Sequence, residues 1–304
     1  MLDFIAIPMG AVLKFIYDNI AFQNYGIAII LFTVGMKTLL LPLTIKQAQS
    51  TSKMSDLQPR MQEIQKKYKD DKEKQSAEIM KFYQENKVNP TGGCLPLLVQ
   101  MPILFSLYYA ISQPLKYMVG KSTEVITQLY TLIPEGTEKL ANMKDLSIIT
   151  YFSNHSEQLQ AVSDLLKPAD LLNMNFLGIN LGTVPTWNPS HYLNGGADVS
   201  TYLLLLIPVL SALTSYFSVR YSMKGASKTD ETQAQASMQN NMAMISPIMS
   251  GVIAFTVPAG LGLYWIIGNV YQIAQQMFMN RFVIKKPTDS STNKAAKERT
   301  IEGG

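Results

Sequence analysis

Lys37 lies inside an apolar run, Ile27 to Leu43 (IAIILFTVGMKTLLLPL), and is the only charged residue in it. A charge near mid-bilayer costs roughly 2.5 to 3.5 kcal/mol on insertion scales, so this lysine requires a polar surrounding or a task. The chemistry open to it is electrostatic: it can supply a countercharge. Uncharged hydrogen-bonding side chains recur in the other apolar runs, namely Gln100, then Thr214 and Ser215, then Asn269, Gln272 and Gln276. Gln272 and Gln276 are one helical turn apart and Asn269 is three residues before Gln272, so a helix carries all three on one side. Most could equally be interhelical hydrogen-bonding glue. Lys37 could equally snorkel, because Leu43 is six residues on, about 9 Å of helix. The runs hold no carboxylate pair, Ser/His pair or metal-ligand cluster, and the chain has no Walker-type glycine loop. Its two histidines, His155 and His191, are far apart and lack a cysteine partner, which argues against zinc. No catalytic, cofactor or metal site is expected, and the chain does not read as an enzyme.

These residues sit on elements of membrane length. Of the 304 residues 47% are hydrophobic and 16% charged, yet mean hydropathy is only +0.07. Strongly apolar spans are therefore diluted by charged or polar segments. Besides the first run, Cys94 to Ile111, Val199 to Val219, Asn241 to Val257 and Ala259 to Met279 reach the required length of about 17 to 25 residues. Val257-Pro258-Ala259-Gly260 reads as a tight turn between the last two, because proline removes a donor and disfavours helix before it. Pro42, Pro102, Pro208 and Pro247 each interrupt a span, as simple kinks or as shapers of a cavity. The expectation is an all-α integral membrane protein of five transmembrane helices, at 25–48, 92–114, 199–220, 241–257 and 259–281. The lone Cys94 excludes an internal disulfide.

Lysine and arginine set the orientation. Ten fall in Thr44 to Pro90, three in Arg220 to Asn240 and six from Asn280 onward, 19 of the 26, whereas Ser112 to Asp198 holds five against eight acidic residues. The positive-inside rule then predicts a cell-membrane, multi-pass protein with its N-terminus outside and its C-terminus cytoplasmic. Residues 49–91 read as a cytoplasmic hairpin of two amphipathic helices broken at Lys69-Asp70-Asp71-Lys72, the first opening near Ser55-Asp56 with Pro59. Residues 221–240 form a cytoplasmic link and 282–304 a disordered basic tail. Residues 1–24 lack the basic start of a signal peptide and read as an amphipathic helix on the outer interface. The outer segment 115–198 is the least explained, with one short helix expected from Glu157 to Lys167. Met238, Met242, Met244 and Met249 cluster at the fourth span, either as core filling or as an adaptable contact surface.

An ordered set of short motifs runs along this layout. Tyr25-Gly26, Leu41-Pro42-Leu43, Gln58-Pro59, Val88-Asn89-Pro90, Gly92-Gly93-Cys94 with Pro96, and Gln100-Met101-Pro102 are followed by Asn175-Phe176-Leu177-Gly178 with Asn180-Leu181-Gly182. Pro258-Ala259-Gly260-Leu261 and Leu263-Tyr264-Trp265 complete it. Together, over residues 10–115 and 170–285, they resemble the YidC/Oxa/Alb family of membrane protein insertases. That resemblance implies five helices around a hydrophilic groove closed on the outer side, in which a first-span cation receives polar or acidic parts of an incoming chain. Lys37 stands where the family usually has arginine; it keeps the charge and loses the bidentate fork. Gln100, Thr214, Ser215, Asn269, Gln272 and Gln276 become candidate groove residues, as does Trp265, otherwise an interfacial anchor. Ser218 and Val219 stand where many relatives carry paired glutamines. The implied partners are nascent membrane proteins and membrane lipid, with a ribosome and a Sec-type translocon left open and no sequence-specific nucleic acid. A small-molecule transporter, for which no internal repeat is visible, and an assembly chaperone acting only with a translocon are the rival readings.

Overall fold

The computed structural model describes residues 3–86, 88, 95–135, 143–188, 192, 198–223 and 245–283, without the side chains of residues 55 and 95–100. Cys94, His191, the link 224–244 with Met238, Met242 and Met244, and the tail 284–304 lie outside the described residues.

Helix α1 (Asp3–Asn19) buries Ala6, Met9, Gly10, Leu13 and Tyr17, a stripe at helical spacing, and leaves Phe4, Ile7 and Phe15 exposed. It therefore packs on the bundle and is not merely laid on a surface. Close approach is possible because Gly10 meets the Tyr117 backbone, where any Cβ would overlap. Phe22 and Gln23 then take left-handed backbone, with φ of 52° and 53°. Asn24 caps α2 (Tyr25–Leu39), its side chain accepting from the Ile27 N–H.

The expected first span, 25–48, is not one straight helix. α2 ends at Leu39 and α3 (Leu41–Lys67) leaves at 54°. Pro42 has no N–H for the Thr38 carbonyl and its ring crowds that turn, so the helix bends and restarts. From there α3 runs through Pro59 without a new start near Ser55, because a water-exposed helix can leave one freed carbonyl to solvent. The turn at 68–71 is closed by Asp71, which accepts from the Lys74 N–H and caps α4 (Lys72–Glu85). The two arms meet where Tyr83 Oη donates to Met61 Sδ at 2.7 Å and Gln75 Nε2 to the Gln65 carbonyl at 2.8 Å.

Helix α5 (Leu95–Ser112) is held to α2 by the Tyr25 hydroxyl, which donates to the Ile111 carbonyl at 2.9 Å. The described residues of 113–135 and 143–188 form a cap: α6 (Pro114–Tyr117), α7 (Thr123–Thr131), α8 (Lys144–Asn154), α9 (Ser156–Ala161) and a 3-10 turn at Pro168–Asp170. Leu129, Ile133, Leu146, Ile148, Ile149, Phe152 and Leu166 make its core. The helix expected from Glu157 to Lys167 is shorter, ending at Ala161 and giving way to turns. One departure from helix follows, a tiny antiparallel ladder of β1 (Asn175–Phe176) and β2 (Ile179–Asn180).

Asp198 caps α10 (Val199–Met223), which has a break at Leu205. After α11 (Ile245–Ala254), the turn at Pro258 opens α12 (Ala259–Phe282). α10 and α12 pack through small residues. Ser211, Ser215 and Ser218 are buried, and Gly262 lies so close to Ile207 that a Cβ would overlap it. Among the described residues, α10 is the one helix long and apolar enough by itself to cross a membrane; the bent pair Tyr25–Leu39 with Leu41–Met54 adds a second if counted as one span. Met101–Ser112 and Ile245–Ala254 are shorter apolar helices.

Candidate functional site

Lys37 occupies the last turn of α2, half-buried, beside a small cavity of about 20 Å³ lined by Met9, Phe32, Met36, Leu107 and Tyr264 among others. Its stem runs along α12 at Gly268: Cε is 3.9 Å from where a Cβ on that glycine would stand. Glycine there leaves room for the lysine. Among the described residues no carboxylate is paired with Lys37. One residue on, Thr38 Oγ1 lies 3.0 Å from the Tyr271 hydroxyl and bridges α2 to α12. The next turn of α12 on that side carries Gln275, buried, with Nε2 lacking a hydrogen-bond partner.

The adjoining side of α12 faces an open hollow of about 440 Å³ between α10, α11 and α12. Ser215, Trp265 and Asn269 line it, and Asn269 Nδ2 donates to Thr214 Oγ1 at 3.3 Å. Four of the candidate residues are thus together. Lys37 stands against the neighbouring ridge of the same helical turn, since Tyr264 and Gly268 face it while Trp265 and Asn269 face the hollow. Gln272 is exposed, and Gln276 is half-buried and donates to Asn280 Oδ1 at 2.9 Å, so neither lines the hollow. Gln100 belongs to α5, and its side chain lies outside those described.

Several polar residues here were not singled out from sequence. Ser246 and Ser250 line the hollow from α11 with Met249 and Ile253. Their four-residue spacing was the available signal. Thr38 and Tyr271 bridge α2 and α12, with Gln275 buried one turn further along α12, and no sequence pattern distinguishes them from other polar residues near helix ends. Among the described residues the arrangement offers hydrogen-bonding groups and one lysine.

Apolar helices that keep a lysine and a hydrogen-bonding seam between them define a helical membrane protein with a polar interior. Comparison with known proteins places the chain further. The family described as 60Kd inner membrane protein matches residues 15–286. "Membrane protein insertase YidC" of Clostridium perfringens is 34% identical over 262 residues, 84% of this chain and 78% of that protein. The Caldanaerobacter subterraneus protein of that name is 30% identical, covering 91% of this chain and 94% of its own. For "Membrane protein insertase YidC 2" of Listeria innocua the figures are 30%, 91% and 71%. The chain spans 64% of "Membrane protein insertase YidC 1" of Listeria monocytogenes. This chain belongs to the 60Kd inner membrane protein family.

Proposed function

We propose that the chain is a membrane protein insertase that also helps its substrates fold, working without nucleotide hydrolysis. The observation that carries the reading is Lys37, with no ion pair among the described residues, against the Tyr264–Gly268 ridge of α12, whose adjoining ridge lines a hollow with Ser215, Trp265 and Asn269. An incoming chain gains free energy by burying its apolar span. The costly step is carrying its polar or acidic tail across, and a cation with neutral hydrogen-bonding neighbours lowers that cost without forming bonds.

In this reading five spans enclose the groove: α2 with the start of α3, α5, α10, α11 and α12. Gln100, Gln272 and Gln276 are further candidate groove residues. The cap lies outside the cell and the α3–α4 hairpin in the cytoplasm, where it meets the nascent chain first. The partners are nascent membrane proteins and lipid; a ribosome and a Sec-type translocon stay open as further partners. The family membership and the names of the relatives support this assignment. The test is insertion of a small single-span protein with an acidic outside tail into liposomes holding only this purified chain. Protease protection of the tail above that in empty liposomes is expected; protection equal to empty liposomes overturns autonomous insertion.

A further inference from the structure

Among the described residues three non-glycine residues have left-handed backbone, Phe22, Gln23 and Leu177. Such conformations are disfavoured for bulky side chains and persist only where the surrounding structure holds them. Two of the three are large and apolar, yet neither is packed: Phe22 is 89% exposed and Leu177 80%. At Leu177 the conformation, with Gly178 at φ 81°, makes the two-residue turn between Phe176 and Ile179 and leaves the Leu177 side chain itself in the open.

The surroundings that hold these turns are specific. Phe176, next to Leu177, presses its ring on Gly26, where a Cβ would overlap it. Asn24 Nδ2 donates to the Asn175 carbonyl at 2.9 Å and the Tyr25 N–H to the Asn173 carbonyl at 3.1 Å. The same segment receives the start of α12, because the Ala259 and Gly260 N–H groups donate to the Thr183 and Leu181 carbonyls at 2.9 Å. Gly178 sits against Leu203, in the second turn of α10. Residues 173–183 therefore tie the starts of α2, α10 and α12 to one level. Exposed apolar side chains stand at two of these starts: Phe22 just before α2 and Leu177 beside α10.

We propose that Phe22 and Leu177 form an anchor that enters the headgroup–acyl boundary of the leaflet next to the cap. Lipid fits better than a protein partner, because Phe22 and Leu177 stand beside the starts of helices read as spans, and the start of a span is where a bilayer presents its interface. Phe favours that depth, about 5 to 10 Å into the boundary region. The proposal rests on the reading of α2, α10 and α12 as spans and does not depend on which side of the membrane the cap occupies.

The test places nitroxide labels on Phe22→Cys, Leu177→Cys and Leu213→Cys, each with Cys94→Ser, in phosphatidylcholine/phosphatidylglycerol vesicles, and reads collision with oxygen and with a water-soluble nickel complex. Leu213 is a 48% exposed position on α10 and reports the span itself. The expected result is a deep Leu213 label with interfacial labels at 22 and 177. Water-like labels at 22 and 177 with Leu213 deep overturn the anchor alone, as do labels there shielded from both reagents, which would mean a second copy covers them. A water-like Leu213 label overturns the span reading beneath it. Leu177→Asn, suited to left-handed backbone, should keep or raise Tm in detergent, where a packing role for Leu177 would lower it.

Discussion

Lys37 is legible from sequence because a charge in an apolar run is conspicuous whatever surrounds it. Its neighbours are not, since which polar residue faces it depends on how α2 and α12 are rotated against each other. Tyr271 shows the difference. Nothing in its flanking residues separates it from the other tyrosines, yet its hydroxyl meets Thr38 at 3.0 Å. Tyr271→Phe should lower stability in detergent by about 0.5 to 1.5 kcal/mol. Thermal unfolding of that variant, of Thr38→Val and of the pair checks it, and the double variant should cost less than the sum. The stripe Asn269, Gln272 and Gln276 is a similar case: three residues on one side of an ideal helix, of which Asn269 alone lines the hollow.

Among elements, the charged stretch at 69–72 and the turn at 68–71 coincide, because acidic and basic residues with an aspartate cap favour a break whatever the tertiary contacts. The bend at Leu40 was legible only as a proline in a span. Its consequence, a hairpin arm that starts at Leu41, depends on helix formers continuing beyond it. α7 and α8 went unread although Ser122 caps the one and Leu146, Ile149 and Phe152 stripe the other. Gly26→Ala should overlap Phe176 and cost about 1 to 3 kcal/mol, read as a lower Tm. In the cap, buried Asp145 accepts from the Lys116 N–H at 2.9 Å, ahead of α6. Burial pushes its carboxyl up from 3.8 to about 6, against the opposing pull of the Lys116 and Leu115 N–H groups. The folded cap thus holds a proton that the unfolded chain has released. Its contribution is full below pH about 4 and fades as pH rises to about 6, a change of about 3 kcal/mol at most. The Tm difference between the wild type and Asp145→Asn should shift against the wild type across that window; a constant difference would exclude the aspartate as its source.

At the scale of the whole molecule, composition and apolar run length make helix in a membrane legible. The number of crossings is less so, because α12 carries Asn269, Gln272, Gln275 and Gln276 along a helix of 24 residues and is thereby too polar to be marked as a span by hydropathy. Orientation is testable directly. On a Cys94→Ser chain in cells, Gln128→Cys on α7 should react with a membrane-impermeant maleimide from outside and Lys69→Cys only after lysis; the reverse pattern would invert the topology.

The central claim is that Lys37 acts as a countercharge for substrate. Two unit charges 4 Å apart at an effective dielectric of about 20 interact by about 4 kcal/mol, and a third of that is about tenfold in rate. The decisive measurement is the rate of protease protection in liposomes for one single-span substrate with either an acidic or a neutral tail, with wild type, Lys37→Arg and Lys37→Ala. The account predicts that Lys37→Ala slows the acidic tail about tenfold, leaves the neutral tail nearly unchanged, and that Lys37→Arg matches the wild type. Equal slowing of both tails, or none, would contradict it.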